Sequence, residues 1–159
     1  MATKWAKIFL KCERGTQMIE FALLLPFLIV LFASGVEMGR LFYTYNTLQK
    51  ATAVGARYLS SSLLQTDGTY YDADRTAAKS LVVCGKVDCT SQPVIARDLT
   101  TSNVTAPSAP STVSGTKYVT VSMTYAYHPL MFDLGNMTGS STLSLNFTFT
   151  PSTTMRYMP

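Results

Sequence analysis

One uninterrupted apolar segment stands out in the pattern of hydrophobic and polar positions. Residues 21–36 include sixteen consecutive positions without a charged side chain. A helix rises about 1.5 Å per residue, so this segment spans about 24 Å, slightly less than the roughly 30 Å hydrocarbon core of a bilayer. A complete span therefore has to include Glu20 or Glu37, or thin the bilayer near them. The pattern predicts a transmembrane helix near the N-terminus.

The helical pattern continues beyond the apolar segment. Residues of one stripe recur at alternating spacings of four and three, which places them along one side of a helix: Leu41, Tyr45, Leu48, Thr52, Gly55 and Leu59. This stripe predicts a helix that runs on to Leu59 or Leu64. Such continuity counts against a cleaved secretory signal peptide, although Ala33-Ser34-Gly35 could supply the small residues near a cut. A secreted, signal-cleaved chain is the alternative.

A second, shorter helix is predicted after a polar segment at 60–68. Asp72 can cap a helix over residues 73–84, and Gly85 is in place to end it. The residues expected on its buried face are Ala73, Ala77, Leu81 and Cys84.

The last third of the chain carries strand patterns. Apolar residues alternate with polar ones at 119–127 and again at 143–149, which predicts two half-buried strands that could pair antiparallel. A third strand is expected around 94–104, and residues 106–116 have the composition of an exposed loop. The predicted fold class is therefore α+β, with a long helix, a short helix and a small antiparallel sheet.

The formal charge of +4 is concentrated at the N-terminus. Four basic residues and Glu13 supply +3 within the first 14 residues, leaving nine basic and eight acidic residues for the rest. The remainder is nearly neutral and has no basic stripe to hold phosphates, so we expect no nucleic-acid partner. The positive-inside rule places the N-terminus in the cytoplasm and the large C-terminal part outside.

Neither a metal centre nor a catalytic motif emerges from the residue types. His128 is the single histidine and has no companion ligands at typical spacing, so no metal and no cofactor are expected. The chain contains no GxSxG, phosphate-binding glycine loop or HExxH, which argues against an enzyme. Cys84 and Cys89 bracket a four-residue loop and should pair if the domain is exported. The alternative is two reduced cysteines without a role.

An acid at the edge of the apolar helix follows a glycine at the end of the basic leader. A carboxylate in such a place is costly to bury and usually has a partner. Glu20 is the fifth residue after Gly15, which closes the leader KCERG. This arrangement resembles type IV prepilins, with a basic leader, a glycine at the cut, an acid at the fifth mature position and an apolar helix. The resemblance implies a prepilin peptidase that cleaves after Gly15 and leaves Thr16 as the new N-terminus.

The same resemblance implies a role for the acid. The carboxylate of Glu20 would neutralise the free α-amino group of Thr16 on a neighbouring subunit as helices slide together into a filament. The alternative is that Glu20 only lies at the membrane interface and reaches the headgroups.

A longer segment, residues 14–58, resembles the TadE-like family of pseudopilins from tight-adherence (Flp, type IVc) pilus systems. The matching residues are Arg14-Gly15, Glu20-Phe21-Ala22, Pro26, Glu37, Gly39, Ala53 and Gly55-Ala56-Arg57. The family implies a subunit or assembly factor of an adhesive pilus, placed in the bacterial inner membrane and on the cell surface after assembly. It implies other pilin subunits, the peptidase, the assembly platform and membrane lipid as partners, a homo- or hetero-oligomer, and no enzyme activity.

Three small or rigid residues of the apolar helix have predictions of their own. Pro26 removes a backbone hydrogen bond and predicts a bend near Leu23. Gly35 and Gly39 stand four apart, with Glu37 between them, and form a small-xxx-small face on which another helix could approach closely. The alternative is a plain lipid-facing or flexible segment.

These patterns divide the chain into three parts. Residues 1–15 form a basic cytoplasmic leader, 16–64 a long helix with a transmembrane part, and 65–159 an exported α+β domain. If the leader is retained, the alternative function is a single-pass anchored surface or sensor domain.

Overall fold

The computed structural model describes residues 13–89, 93–130 and 146–158, in two compact units that divide after Gly39. The leader up to residue 12 and the first part of the strand predicted at 143–149 lie outside the described residues. Within the described residues, the order of elements is two α-helices, one 3-10 turn and six strands. This is the predicted pilin-like α+β class, with a long N-terminal helix, a second helix and small antiparallel sheets.

Helix α1 spans Glu13–Ser60 and runs through both units. It is long and apolar enough to cross a membrane. It is assigned as continuous through Pro26, and the bend near Leu23 stays a prediction. Its end at Ser60 agrees with the expected limit between Leu59 and Leu64.

The part of α1 in the second unit packs with the predicted stripe inward. Leu48, Thr52, Gly55 and Leu59 are buried, and Leu41 packs partly buried against the same core. Tyr45 is 40% exposed, but its ring meets the edge of Phe149 at 5.6 Å between centroids. The spacing of four and three was therefore a correct guide to the inner face of this helix.

Helix α2 spans Asp72–Cys84 and ends, as predicted, at Gly85 in the left-handed conformation. The start differs from the prediction, because Tyr71 is the N-cap and Asp72 is the first helical residue. Asp72 pairs instead with Arg75, its Oδ1 lying 2.9 Å from Nη1.

The buried face of α2 also differs from the prediction. Ala73 is exposed, and Leu81 and Cys84 are only partly buried. The buried residues are Ala77, Ala78, Ser80, Val82 and Val83. The face is turned because Ala78 and Val82 meet Gly55 of α1, where the missing side chain leaves room for them.

The main sheet is antiparallel and centred on β3, Thr116–Met123. Strands β1 (Val104–Thr105) and β2 (Ser111–Val113) pair along one edge, and β6 (Ser152–Arg156) pairs along the other. A second small sheet joins β4 (Tyr125–Ala126) to β5 (Thr148–Phe149), also antiparallel. The predicted alternation holds, since Val119, Val121, Met123, Tyr125 and Tyr127 are all buried.

Two predictions for the middle of the chain are wrong in part. In the segment 94–104 only Val104 is in a strand, because Asp98 takes a positive φ and Thr101–Asn103 form a 3-10 turn. The segment 106–116 is largely exposed, but it contains β2, which forms a hairpin with β3. Ser114 and Gly115 at its tip have φ of 50° and 80°, as tight hairpin turns require.

The outer edge of β6 lies along the C-terminal half of α1. The amide of Gln49 donates to the carbonyl of Ser152 at 3.0 Å, and the Met158 N–H donates to the carbonyl of Ser60 at 2.8 Å. Between them, the hydroxyls of Thr52 and Thr153 are 2.9 Å apart. An exposed strand edge can pair with another chain, and these contacts let α1 cover the outer edge of β6.

Candidate functional site on the N-terminal helix

The residues predicted to be processed lie in the first turns of α1. Gly15, Thr16 and Glu20 are all exposed, and a Cβ at Gly15 would meet nothing within 4 Å. Thr16 and Glu20 stand four residues apart, so they share one side of the helix. The structure therefore brings the predicted new N-terminus and the acid to the same face of a single chain.

The surface around Glu20 is apolar over a long stretch. Every described side chain from residue 15 to residue 32 is exposed, including large ones such as Phe21, Leu23 and Phe27. Soluble proteins rarely expose contiguous apolar surface of this extent, which marks a membrane or protein contact. The carboxylate of Glu20 sits at the border of a surface that needs lipid or other chains to cover it.

The structure separates Glu37 from the two glycines of the predicted small-residue face. Gly35 and Gly39 are exposed, and a Cβ on either would contact none of the other described segments within 4 Å. Glu37 is 4% exposed, and it is not without a partner. Successive helical residues turn by about 100°, so Glu37 points away from the side that carries the two glycines. The glycines form an open face, whereas Glu37 belongs to a buried one.

The cysteines lie at the end of α2, apart from these residues. Cys84 and Cys89 are joined by a disulfide, with 5.9 Å between their Cα atoms. The bond closes the short loop that begins with the helix-ending Gly85, and Cys89 packs against the core. His128 is exposed, and the described residues contain no group of three or more His, Cys, Asp and Glu side chains placed to hold a metal ion.

One contact at the start of the second unit was missed by the sequence reasoning. The guanidinium of Arg40 lies over the ring of Tyr127, 5.7 Å from its centroid, and the Tyr127 ring in turn lies 5.8 Å from that of Phe149. These residues are far apart in the chain. The sequence offered one indication, because Arg40 is the first basic residue after the apolar segment. A cation at the end of a transmembrane segment is expected to have a fixed contact.

Comparison with known proteins bears on this same helix. The family described as TadE-like protein matches residues 15–57, which cover the apolar segment, Glu20, the exposed glycines and most of the buried stripe. Searches of curated proteins and of solved structures gave no match. The family is pilin-related and typically non-enzymatic, and a long apolar N-terminal helix indicates membrane anchoring or export. Residues 15–57 of this chain are therefore a TadE-like family domain.

Proposed function

We propose that this chain is a pilin-like structural or assembly subunit of a type IVc, tight-adherence pilus. It inserts in the bacterial inner membrane through α1, with the leader in the cytoplasm and the second unit outside. A prepilin peptidase cleaves it after Gly15, and the assembly platform then adds it to a filament through the same helix. The observation that carries this function is the TadE-like match on a helix whose first turns expose both an apolar surface and Glu20.

The exposure of the first unit supports a helix that can be surrounded first by lipid and later by other subunits. Its described residues are almost all exposed, so contacts within its own chain stabilise this part of the helix little. Burial against lipid or other chains would stabilise it much more. Each fully covered large apolar side chain contributes roughly 1.5–3 kcal/mol, and lipid tails or neighbouring helices can supply that cover equally well. A helix of this kind can move from the bilayer into a bundle of identical helices at small net cost.

The open glycine face supports close helix contact in that bundle. A Cβ built at Gly35 or Gly39 would meet no other described part of the chain within 4 Å, so another helix can approach the backbone there. We propose that these glycines, together with Glu20, form the assembly surface. We expect no enzymatic activity from the chain, in keeping with the family.

The test is the N-terminus of the protein recovered from its native membrane and from filaments sheared off the cell surface. We expect intact mass and N-terminal sequencing to give a chain that begins at Thr16. A chain that keeps its leader in both fractions would overturn the proposal and favour an anchored surface or sensor domain.

A matched pair of variants separates processing from helix damage. Gly15→Val should block cleavage, whereas Gly35→Val places the same side chain on the same exposed helix and should leave cleavage intact. Equal cleavage of both variants would contradict a cut at Gly15.

A further inference from the structure

A cavity of about 230 Å³ opens in the second unit between α1 and a turn at residues 95–98. Its helical wall comes from positions spaced by three and four, which share one side of α1: Arg40, Tyr43, Thr44 and Thr47. The facing wall comes from Ile95, Ala96 and Arg97 of the turn and from Tyr125 of β4.

The turn that carries Arg97 is fixed on both sides. The N–H of Ile95 donates to the carbonyl of Val83 at 2.8 Å, and the N–H of Leu99 donates to the carbonyl of Ala96 at 3.3 Å. Leu99 is buried in the core, and Asp98 adopts a φ of 61° that closes the turn. The backbone at Arg97 is therefore held in place by hydrogen bonds and by the burial of Leu99.

Two arginines line this cavity. Arg40 is ordered by its position over the ring of Tyr127. Arg97 lies 3.5 Å from the carboxylate of Asp98, but the two side chains are 79% and 71% exposed. Such an exposed ion pair contributes little to stability, so a phosphate oxygen can replace the Asp98 carboxylate at Arg97.

The pKa of Tyr125, in the cavity wall, responds to the same charged groups. Burial raises the pKa of the Tyr125 hydroxyl, Asp98 raises it further, and Arg40 and Arg97 act in the opposite direction. All three charged groups therefore lie within electrostatic reach of one phenol in the cavity wall.

We propose that this cavity binds a phosphate group, with Arg40 and Arg97 as its cationic ligands and the tyrosine hydroxyls as neutral donors. Guanidinium groups match phosphate oxygens in geometry and charge, and two arginines in the lining of one cavity favour this anion over a neutral ligand. Arg40 comes four residues after the apolar segment, about 6 Å along a helix, which is the depth of lipid headgroups if that segment spans the bilayer. A phospholipid headgroup and free phosphate share this chemistry.

The experiment uses the full chain in a phosphate-free maltoside detergent. It is titrated with inorganic phosphate, with short-chain phosphatidylglycerol, and with short-chain diacylglycerol as the lipid that lacks phosphate. NMR of the backbone amides at residues 95–99 and of the arginine Nε–H groups reports binding. We expect saturable shifts with a phosphate-bearing ligand and none with diacylglycerol.

Variants identify the ligands of the anion. Arg97→Gln and Arg40→Gln should each weaken binding by at least about tenfold, because each removes a charge-assisted hydrogen bond. Arg57→Gln, on the same helix but outside the cavity, should bind as the unchanged chain does. Arg40→Lys keeps the charge beside Tyr127 and should recover part of the loss, which separates binding from a folding defect.

Each outcome of these titrations either supports the phosphate site or contradicts it. Tighter binding of phosphatidylglycerol than of inorganic phosphate identifies a lipid headgroup as the ligand, and equal binding identifies phosphate itself. Absence of saturable shifts with both, or an Arg97→Gln variant that binds as tightly as Arg57→Gln, would overturn the site.

Discussion

At the scale of single residues, the hydroxyl of Tyr70 is buried without a partner in the part of the chain that the structure describes. It is 2% exposed, its ring meets the edge of Tyr157, and its hydroxyl has no hydrogen-bond partner among the described residues. Burying an unbonded hydroxyl is unfavourable, so Tyr70→Phe should leave the free energy of unfolding unchanged or raise it by up to about 1 kcal/mol. Denaturant unfolding of the full chain in detergent measures this.

Tyr157 provides the matched comparison. Its hydroxyl donates to the carbonyl of Ser62 at 3.0 Å, so Tyr157→Phe should lower the free energy of unfolding by about 1 kcal/mol. If Tyr70→Phe proved as destabilising as Tyr157→Phe, the Tyr70 hydroxyl would have to be bonded after all.

Tyr70 also predicts a loss of stability in alkali. Burial, with a smaller contribution from Tyr157, raises its pKa from 10.0 to about 12 in the folded chain. Below pH 10.0 both states keep the proton and the stability is complete. Between that pH and about 12 only the unfolded state loses it, so the free energy of unfolding falls as the pH rises. Tyr70→Phe should reduce this slope, and an unchanged slope in denaturant unfolding across this range would contradict the assignment.

At the scale of elements, the crossing of α1 and α2 depends on Gly55. A Cβ there would collide with Cγ2 of Val82 and lie 3.4 Å from the carbonyl oxygen of Ala78. Overpacking costs about 1–3 kcal/mol, and the better helix propensity of alanine offsets only about 1 kcal/mol. Gly55→Ala should therefore lower the free energy of unfolding by up to about 2 kcal/mol, measured by denaturant unfolding.

The control for Gly55 lies on the same helix. Gly39 has open space at its Cβ position, so Gly39→Ala should raise helix stability by up to about 1 kcal/mol through propensity alone. The two identical substitutions should thus have opposite signs. A common sign would mean that packing at Gly55 does not limit the approach of α2.

The helices and strands show which parts of the fold the sequence patterns could predict. The stripe through Leu48 and Leu59 and the alternation through Val119 and Val121 were predictable, because each periodicity directly records which side is buried. The expected strand at 94–104 failed because side-chain chemistry overrides β propensity there: Asn103 Oδ1 accepts from the backbone N–H of Thr100 at 3.0 Å and holds a turn.

At the scale of the whole molecule, the sequence predicted only those residues of the candidate site that lie in one continuous segment. Gly15, Glu20 and the apolar segment are adjacent in the chain, so a motif contains them. Arg40 and Arg97 line one cavity because of how the segments of the second unit fold together, and no spacing along the chain records that. The phosphate cavity could therefore be found only from the structure.

Glu20 carries the last prediction, because its charge should be needed for the filament and not for insertion in the bilayer. A charged side chain near the edge of an apolar helix opposes insertion, so Glu20→Ala should insert at least as well as the unchanged chain. If the carboxylate neutralises the α-amino group of Thr16 on a neighbour, the variant should be cleaved and retained in the membrane, yet missing from sheared filaments. Membrane fractionation and immunoblotting of the sheared fraction measure both.

Two comparisons make this result specific. Asp72→Asn removes an acid from an exposed position in the second unit and should assemble normally. Glu20→Gln keeps the size and polarity of the side chain and removes only its charge, so it should fail as Glu20→Ala does. Filaments of normal yield from Glu20→Gln would show that a hydrogen-bonding side chain suffices, and the electrostatic pairing of subunits would have to be abandoned.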